Sequence, residues 1–304
     1  MAFSNLYSAI CRGKWFVSFR EAEANLAFVQ KLMDKGMTSQ GEDKLSERKH
    51  LCATFIEAGS VVAKTSQSFS DAPSGAAAII PIHGTMLKYG TYCAYGTTEL
   101  ADQIREAADS SNISSVILDI DSGGGAVDAI APIVDAISFA RSKGKAVVAH
   151  CDLCASAAYY AACYCDEIIA SNEISSEFGS IGVVMSFPDY AKYYEELGIK
   201  IHTIYSNLSD YKNAPFEAAR KGDYKAIKDE ELDPLARDFQ NAVQTNRENL
   251  KKETEGILRG RMFYAHDAIA VGLCDSIGPL SFAIERAQSI NAQATVNNYI
   301  NSKL

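Results

Sequence analysis

Ser115-Val-Ile-Leu-Asp-Ile-Asp-Ser-Gly-Gly-Gly125 decides the fold class. The run SVILDI, with its β-branched residues and no helical spacing, reads as a buried strand. The glycines after it permit positive φ and let backbone N–H groups approach a ligand closely. The next stretch, Val127–Ala140, has helical texture. The strand, glycine turn and helix are repeated on both sides. Ala77–Ile82, Ala146–Ala149, Glu167–Ala170, Ile181–Val184 and Ile199–Tyr205 read as strands. Thr98–Ala108, Ala157–Cys163, Pro188–Leu197 and Leu232–Glu253 read as helices. Short strands separated by helices of this length predict an α/β fold with a largely parallel sheet.

Outside this core the texture differs. Residues 1–35 carry Leu26, Val29, Leu32 and Met33 near helical spacing, and Gly36 is a stop signal. A polar linker, 37–48, precedes a short helix expected over Leu51–Ala63. A Ser/Asp/Pro-rich stretch, 65–74, precedes the core. The expected organisation is a helical N-terminal region with linker over 1–70, a main domain over 71–290, and a flexible tail over 291–304.

The chain has 304 residues, 47% of them apolar, and a net charge of −9. Such a composition supports a packed core and argues against nucleic acid as the main ligand, which needs clustered Lys and Arg. The longest apolar stretch, Gly75–Ile82, is far short of the roughly 18–20 residues that cross a bilayer. Arg12 and Lys14 follow the weak N-terminal apolar stretch, where a signal peptide has its charges in front. No membrane anchor is expected, and the expected location is cytoplasmic. The eight cysteines do not suit a secreted disulfide framework. Cys151, Cys154, Cys163 and Cys165 include a CxxC spacing that could hold zinc. Buried structural thiols are the preferred reading, because Cys163 and Cys165 fall in a helix, at positions that face different ways.

Four motifs could carry chemistry. Asp121–Gly125 could cradle an anion or an oxyanion, or be a tight turn. Ser156, in Cys154-Ala-Ser-Ala-Ala-Tyr-Tyr160, lies between a strand and an apolar helix, as a nucleophile or a helix cap. Gly179-Ser-Ile-Gly182 enters a strand, and turn chemistry alone explains it equally well. Lys212 follows in a loop, where lysine is ordinarily a solvated charge. To serve as a base it must be desolvated and neutral. A Ser-His-Asp triad is the competing arrangement, but none of His50, His83, His150, His202 and His266 has a nucleophile-elbow context.

In this order the four motifs resemble the signal peptide peptidase A family, serine peptidase family 49, over about residues 76–290. Ser156-Ala-Ala-Tyr159, His83-Gly-Thr85 and the segment GKWFVSFREAEANL resemble the capsid-assembly (prohead) proteases of tailed phages in particular. The Gly260-Arg261 to Gly278 segment fits the family, whereas Gly123 stands where it usually has proline. The resemblance implies a ClpP/crotonase-like core of stacked ββα units and a serine endopeptidase using a Ser-Lys dyad. Ser156 would be the nucleophile, Lys212 the general base, and Gly124 and Ala157 the oxyanion donors. Ser180 would hold the lysine, with Gly125 supporting the oxyanion loop. No metal or cofactor is implied. The implied partners are polypeptide substrates, capsid or scaffold proteins among them. The resemblance also implies a homo-oligomer whose active site is shared between subunits, in the host cytoplasm or the prohead. A cellular peptidase of signal-peptide remnants, a crotonase-like acyl-CoA enzyme and a non-catalytic assembly protein are the alternatives.

Overall fold

The structure is a computed structural model and describes residues 14–17, 51–57, 60–66, 68–90, 95–187 and 189–301. Its centre is a sheet of β4 (Ala76–His83), β5 (Ile113–Ser122), β7 (Ala146–Ala155) and β8 (Glu167–Ala170), all parallel to their neighbours. The expected α/β class with a parallel core is observed. These strands are buried on both faces, so they read as apolar runs rather than alternating ones.

One face is covered by α1 (Thr97–Asp109), α2 (Ile130–Ser142) and α3 (Ala157–Ala162). Val116, Leu118 and Ile120 of β5 point to that side, against Ile104, Ile133 and Ile137. The opposite face carries Ile79, Ile117, Val148 and Ile169, packed against Ala283, Ile284 and Ala287 of a C-terminal helix, Leu280–Asn301. The segment from residue 291, expected as a flexible tail, is therefore helical through Asn301. Asn291 also ties it to the sheet, its Oδ1 accepting from Ala146 N–H at 2.8 Å and its Nδ2 donating to Ser114 C=O at 2.7 Å.

The N-terminal expectation needs correction. Leu51–Glu57 (β2) and Ser60–Ser66 (β3) form an antiparallel hairpin, not a helix, and β2 pairs antiparallel with β4. Thr54, Ile56, Val61, Val62 and Thr65 supply β-branched residues, and the open edge of β4 supplies the partner. Lys14–Val17 is likewise a strand, β1, where a helix was expected. The remainder of 1–50 lies outside the described residues.

Other limits moved as well. The strand expected at Ile181–Val184 is replaced by β9 (Glu177–Gly179) and the two-residue β10 (Val184–Met185). The helix expected over Pro188–Leu197 covers Ala191–Glu196. The long helix covers Asp233–Asn246 and stops where Arg247 turns inward, its guanidinium making two bonds to Asp275 at 2.9 and 2.6 Å. Ile199–Tyr205 forms no strand, and Ile201 is 68% and Ile204 91% exposed, so these apolar residues are left uncovered by the described residues.

Across the sheet, Asp119 sits between two histidines. Its Oδ2 meets His83 Nε2 and its Oδ1 meets His150 Nδ1, each at 3.3 Å. Hydrogen bonds from the two imidazoles hold the Asp119 carboxyl below its ordinary range even though burial opposes this. The Asp119 hydrogen bond in turn raises His83 above its ordinary 6.5. Stability from the lowered carboxyl is present above its ordinary value, near 3.8, and is lost as pH falls from there. Stability from His83 is full below 6.5 and is lost as pH climbs through the raised value. Asp119→Asn should therefore lower the melting temperature most near pH 5.5, by roughly 2–4 °C, and less near pH 9. A deficit that is flat across that range in thermal scans would count against this network.

Candidate active site

Three of the predicted motifs meet at the C-terminal ends of β5, β7 and β9, and strand register brings them there. Ser122 of β5 is opposite Cys154 of β7, so the glycine loop begins beside the end of β7. Along its length β7 changes partner, from β8 at Val148–Cys151 to β9 at Leu153–Ala155. Ala155 is opposite Gly179, which places Ser156 next to Ser180. Ser156 N–H donates to Gly179 C=O at 2.9 Å and locks the junction.

Ser156 is not an ordinary helix cap. It has φ 55° and ψ −117°, and its side chain makes no capping hydrogen bond. The residue is 1% exposed, and its Oγ has no hydrogen-bond partner among the described residues. A buried hydroxyl without a partner costs about 1–3 kcal/mol, and a non-glycine residue at such angles a similar amount. Among the described residues, the non-glycine positions with positive φ are Ser156, Ser180 and Asn213. Strain thus falls on the candidate nucleophile, on its predicted supporting serine, and on the residue after Lys212.

The helix behind Ser156 is firmly seated. Tyr159, fully buried, donates its hydroxyl to Leu273 C=O at 2.9 Å. Ala157 is the first residue of α3, where N–H groups have no carbonyl four residues earlier to meet. Gly124, with φ 103°, occupies the facing loop. Its N–H donates to Ser122 Oγ at 3.1 Å, and that hydroxyl donates to Gly84 C=O at 2.6 Å. A developing oxyanion would compete for the Gly124 amide with a neutral hydroxyl oxygen, the weaker acceptor. Sequence reasoning missed this role of Ser122, although a serine just before the glycines was the available signal. It also missed Met86, whose backbone pairs with Gly124 C=O and Ala126 N–H, both at 2.9 Å.

Gly125 is where this contact leaves no room. A Cβ there would lie 2.0 Å from Met86 O. Gly125→Ala should displace the oxyanion loop and lower kcat/KM by at least about tenfold, since ångström-scale misplacement of catalytic groups is costly. Circular dichroism should remain near wild type. Full activity in the alanine protein would remove Gly125 from the supporting set.

Lys212 is not brought to Ser156 within one chain. It is exposed, in the turn before the helix Ala214–Arg220, and its N–H bonds to Ser209 C=O at 3.1 Å. Among the described residues its ammonium has no ion-pair or hydrogen-bond partner. The competing bases are placed elsewhere: His150 Nε2 faces Gly278 C=O at 3.2 Å and its Nδ1 faces Asp119, while His202 is exposed in irregular chain.

Among the described residues, no group of three or more His, Cys, Asp or Glu side chains is arranged to hold a metal ion, the cysteines included. Cys151, Cys154, Cys163, Cys165 and Cys274 are free and buried. Burial pushes the Cys151, Cys163 and Cys165 thiols well above their ordinary value, and Cys274 to about 12, which keeps them protonated. No helix of the described residues is long and apolar enough to cross a membrane.

Residues 139–295, which include Ser156, Ser180 and Lys212, match Peptidase family S49. The chain belongs to peptidase family S49. This S49 chain is 30% identical over 197 residues to "Serine protease SPPA, chloroplastic" of Arabidopsis thaliana, covering 62% of the chain and 28% of that protein. Protease 4 of Haemophilus influenzae is 26% identical, covering 64% and 31%. "Head-tail preconnector protein GP5" of Enterobacteria phage P21 is 27% identical over 227 residues, covering 73% and 43%. The S49 chain thus spans less than half the length of each of these relatives. Among solved structures, a mutant of the 1510-N membrane-bound stomatin-specific protease with a substrate peptide has a TM-score of 0.43 at 13% identity, covering 71% of this chain and 80% of that one. An enoyl-CoA hydratase from Polaromonas sp. JS666 has a TM-score of 0.39 at 13% identity, covering 83% of each.

Proposed function

We propose that this S49 chain is a serine endopeptidase with Ser156 as nucleophile and Lys212 as general base. The observation that carries the reading is the strained, buried and unpartnered Ser156 at the end of β7. A hydroxyl held this way gains its partners only when a substrate carbonyl arrives. Ser156 Oγ attacks that carbonyl and gives its proton to the lysine amine, which passes it to the leaving nitrogen. The N–H groups of Gly124 and Ala157 receive the oxyanion, and Ser180 holds the lysine. Water then releases the acyl group from Ser156.

Because Lys212 is exposed and apart from Ser156, the base comes from a neighbouring copy of the chain. The segment around Lys212 supports an interface of this kind: Ile204, Leu208 and Tyr211 are 91%, 94% and 68% exposed. Docking them would also remove the lysine from water, which favours the neutral amine that a base requires. The homo-oligomer is a ring with one such contact per interface.

The substrates are polypeptides, and the finer reading is a phage-type enzyme that processes capsid or scaffold proteins in the host cytoplasm or prohead. Its support is the Ser156-Ala-Ala-Tyr159 motif and the similarity to the phage P21 protein. Purified protein incubated with denatured casein and with capsid-type proteins should cut both, with EDTA leaving the rate unchanged. Failure to cut any polypeptide at concentrations that support the oligomer would refute the peptidase reading.

A further inference from the structure

The strand β1, Lys14–Val17, lies across the candidate active site. On one side it pairs antiparallel with β6 (Gly124–Ala126), with Trp15 opposite Ala126, Phe16 opposite Gly125 and Val17 opposite Gly124. On the other side it pairs antiparallel with β10, with Lys14 opposite Met185 and Trp15 opposite Val184. An N-terminal segment thus completes a small sheet of order β10-β1-β6.

The two flanking strands are the continuations of the glycine loop and of the Gly179–Gly182 motif. Gly124 C=O and Ala126 N–H are turned toward Met86. Strand alternation leaves the N–H and C=O of Gly125 facing the other way, toward Phe16. Without β1, β6 would present an open edge beside the nucleophile, and β10 would present a second. A pair of edges like this accepts an extended peptide through backbone bonds, with little demand on its sequence.

We propose that residues 14–17 occupy the position of the substrate strand, so that the chain's own N-terminal segment must leave before a polypeptide can be cut. The inference rests on the peptidase reading of Ser156. Register places Phe16 in the backbone-bonded pair with Gly125, while Trp15, opposite Val184, turns its backbone to β10. Gly124 N–H stays with Ser122 Oγ, so the strand fills the groove without placing a carbonyl on the oxyanion amide.

Hydrogen–deuterium exchange in full-length Ser156→Ala protein tests occupancy without requiring catalysis. The Phe16 and Gly125 amides should be protected together. Phe16→Pro in that background removes the N–H that meets Gly125 and should speed exchange at Gly125 by at least about tenfold. A synthetic peptide of residues 10–21 should bind the Phe16→Pro protein about tenfold more tightly than its parent, because no internal strand competes. An unprotected Gly125 amide in the parent, or equal peptide affinity in the two proteins, would overturn the proposal. In active enzyme, Phe16→Pro should lower KM several-fold for casein with kcat retained. Loss of all peptidase activity with the exchange pattern intact would strike the reading of Ser156 and leave the occupancy standing.

Discussion

A Ser156→Ala protein is expected to lose peptidase activity by at least about 10³-fold in kcat, because removing a nucleophile eliminates the covalent path rather than weakening a contact. The fold should survive. The change deletes one oxygen that has no hydrogen-bond partner among the described residues, so no polar group is orphaned. Alanine inherits the φ of 55° with its Cβ, and the strain stays much as it was. Melting temperature should match wild type or rise slightly. Casein hydrolysis and a thermal scan on the same preparation decide the matter. Unchanged hydrolysis would move the nucleophile elsewhere, and a collapsed melting transition would make Ser156 a structural residue.

Lys212→Ala should be nearly as damaging, since nucleophile and base act as a unit. The sharper expectation concerns mixtures. In the proposed shared site each Ser156 takes its lysine from a neighbour, because Lys212 is exposed in its own chain. Mixing inactive Ser156→Ala with inactive Lys212→Ala should then restore part of the activity, because some interfaces carry both groups. Activity should also rise faster than linearly with concentration at high dilution. No recovery after demonstrated subunit exchange, or full activity in a monomer, would end the shared-site account.

Much of the core was legible from residue pattern alone. Glu167–Ala170 was read to the residue, and β4, β5 and the helices α1 and α2 to within a few, because buried parallel strands are short apolar runs ended by glycine or by a helix start. Ser156 was ambiguous as a sequence feature, since a cap and a nucleophile both sit at a strand-to-helix junction. Its positive φ and missing cap bond separate the two, and both are backbone facts that side-chain identity does not encode. Residues 51–66 were misread because the edge of β4 that anchors β2, and through it the hairpin, lies more than twenty residues further along the chain. Ile199–Tyr205 has the apolar content of a strand but no strand neighbour among the described residues, and apolar content alone does not make a strand without a pairing partner. The strand at Lys14–Val17 was hidden for the same reason as β2, its partners lying more than a hundred residues away at 124–126 and 184–185.

The most direct test of the central claim is to treat the assembled protein with a fluorophosphonate and locate the adduct by peptide mass spectrometry. The reagent loses fluoride to a serine oxygen that is both nucleophilic and served by a base, and it leaves ordinary hydroxyls untouched. The account predicts one adduct per chain, on Ser156, absent from Ser156→Ala and strongly reduced in Lys212→Ala. An adduct on a different residue, or a fully active enzyme that takes up no label, would contradict it.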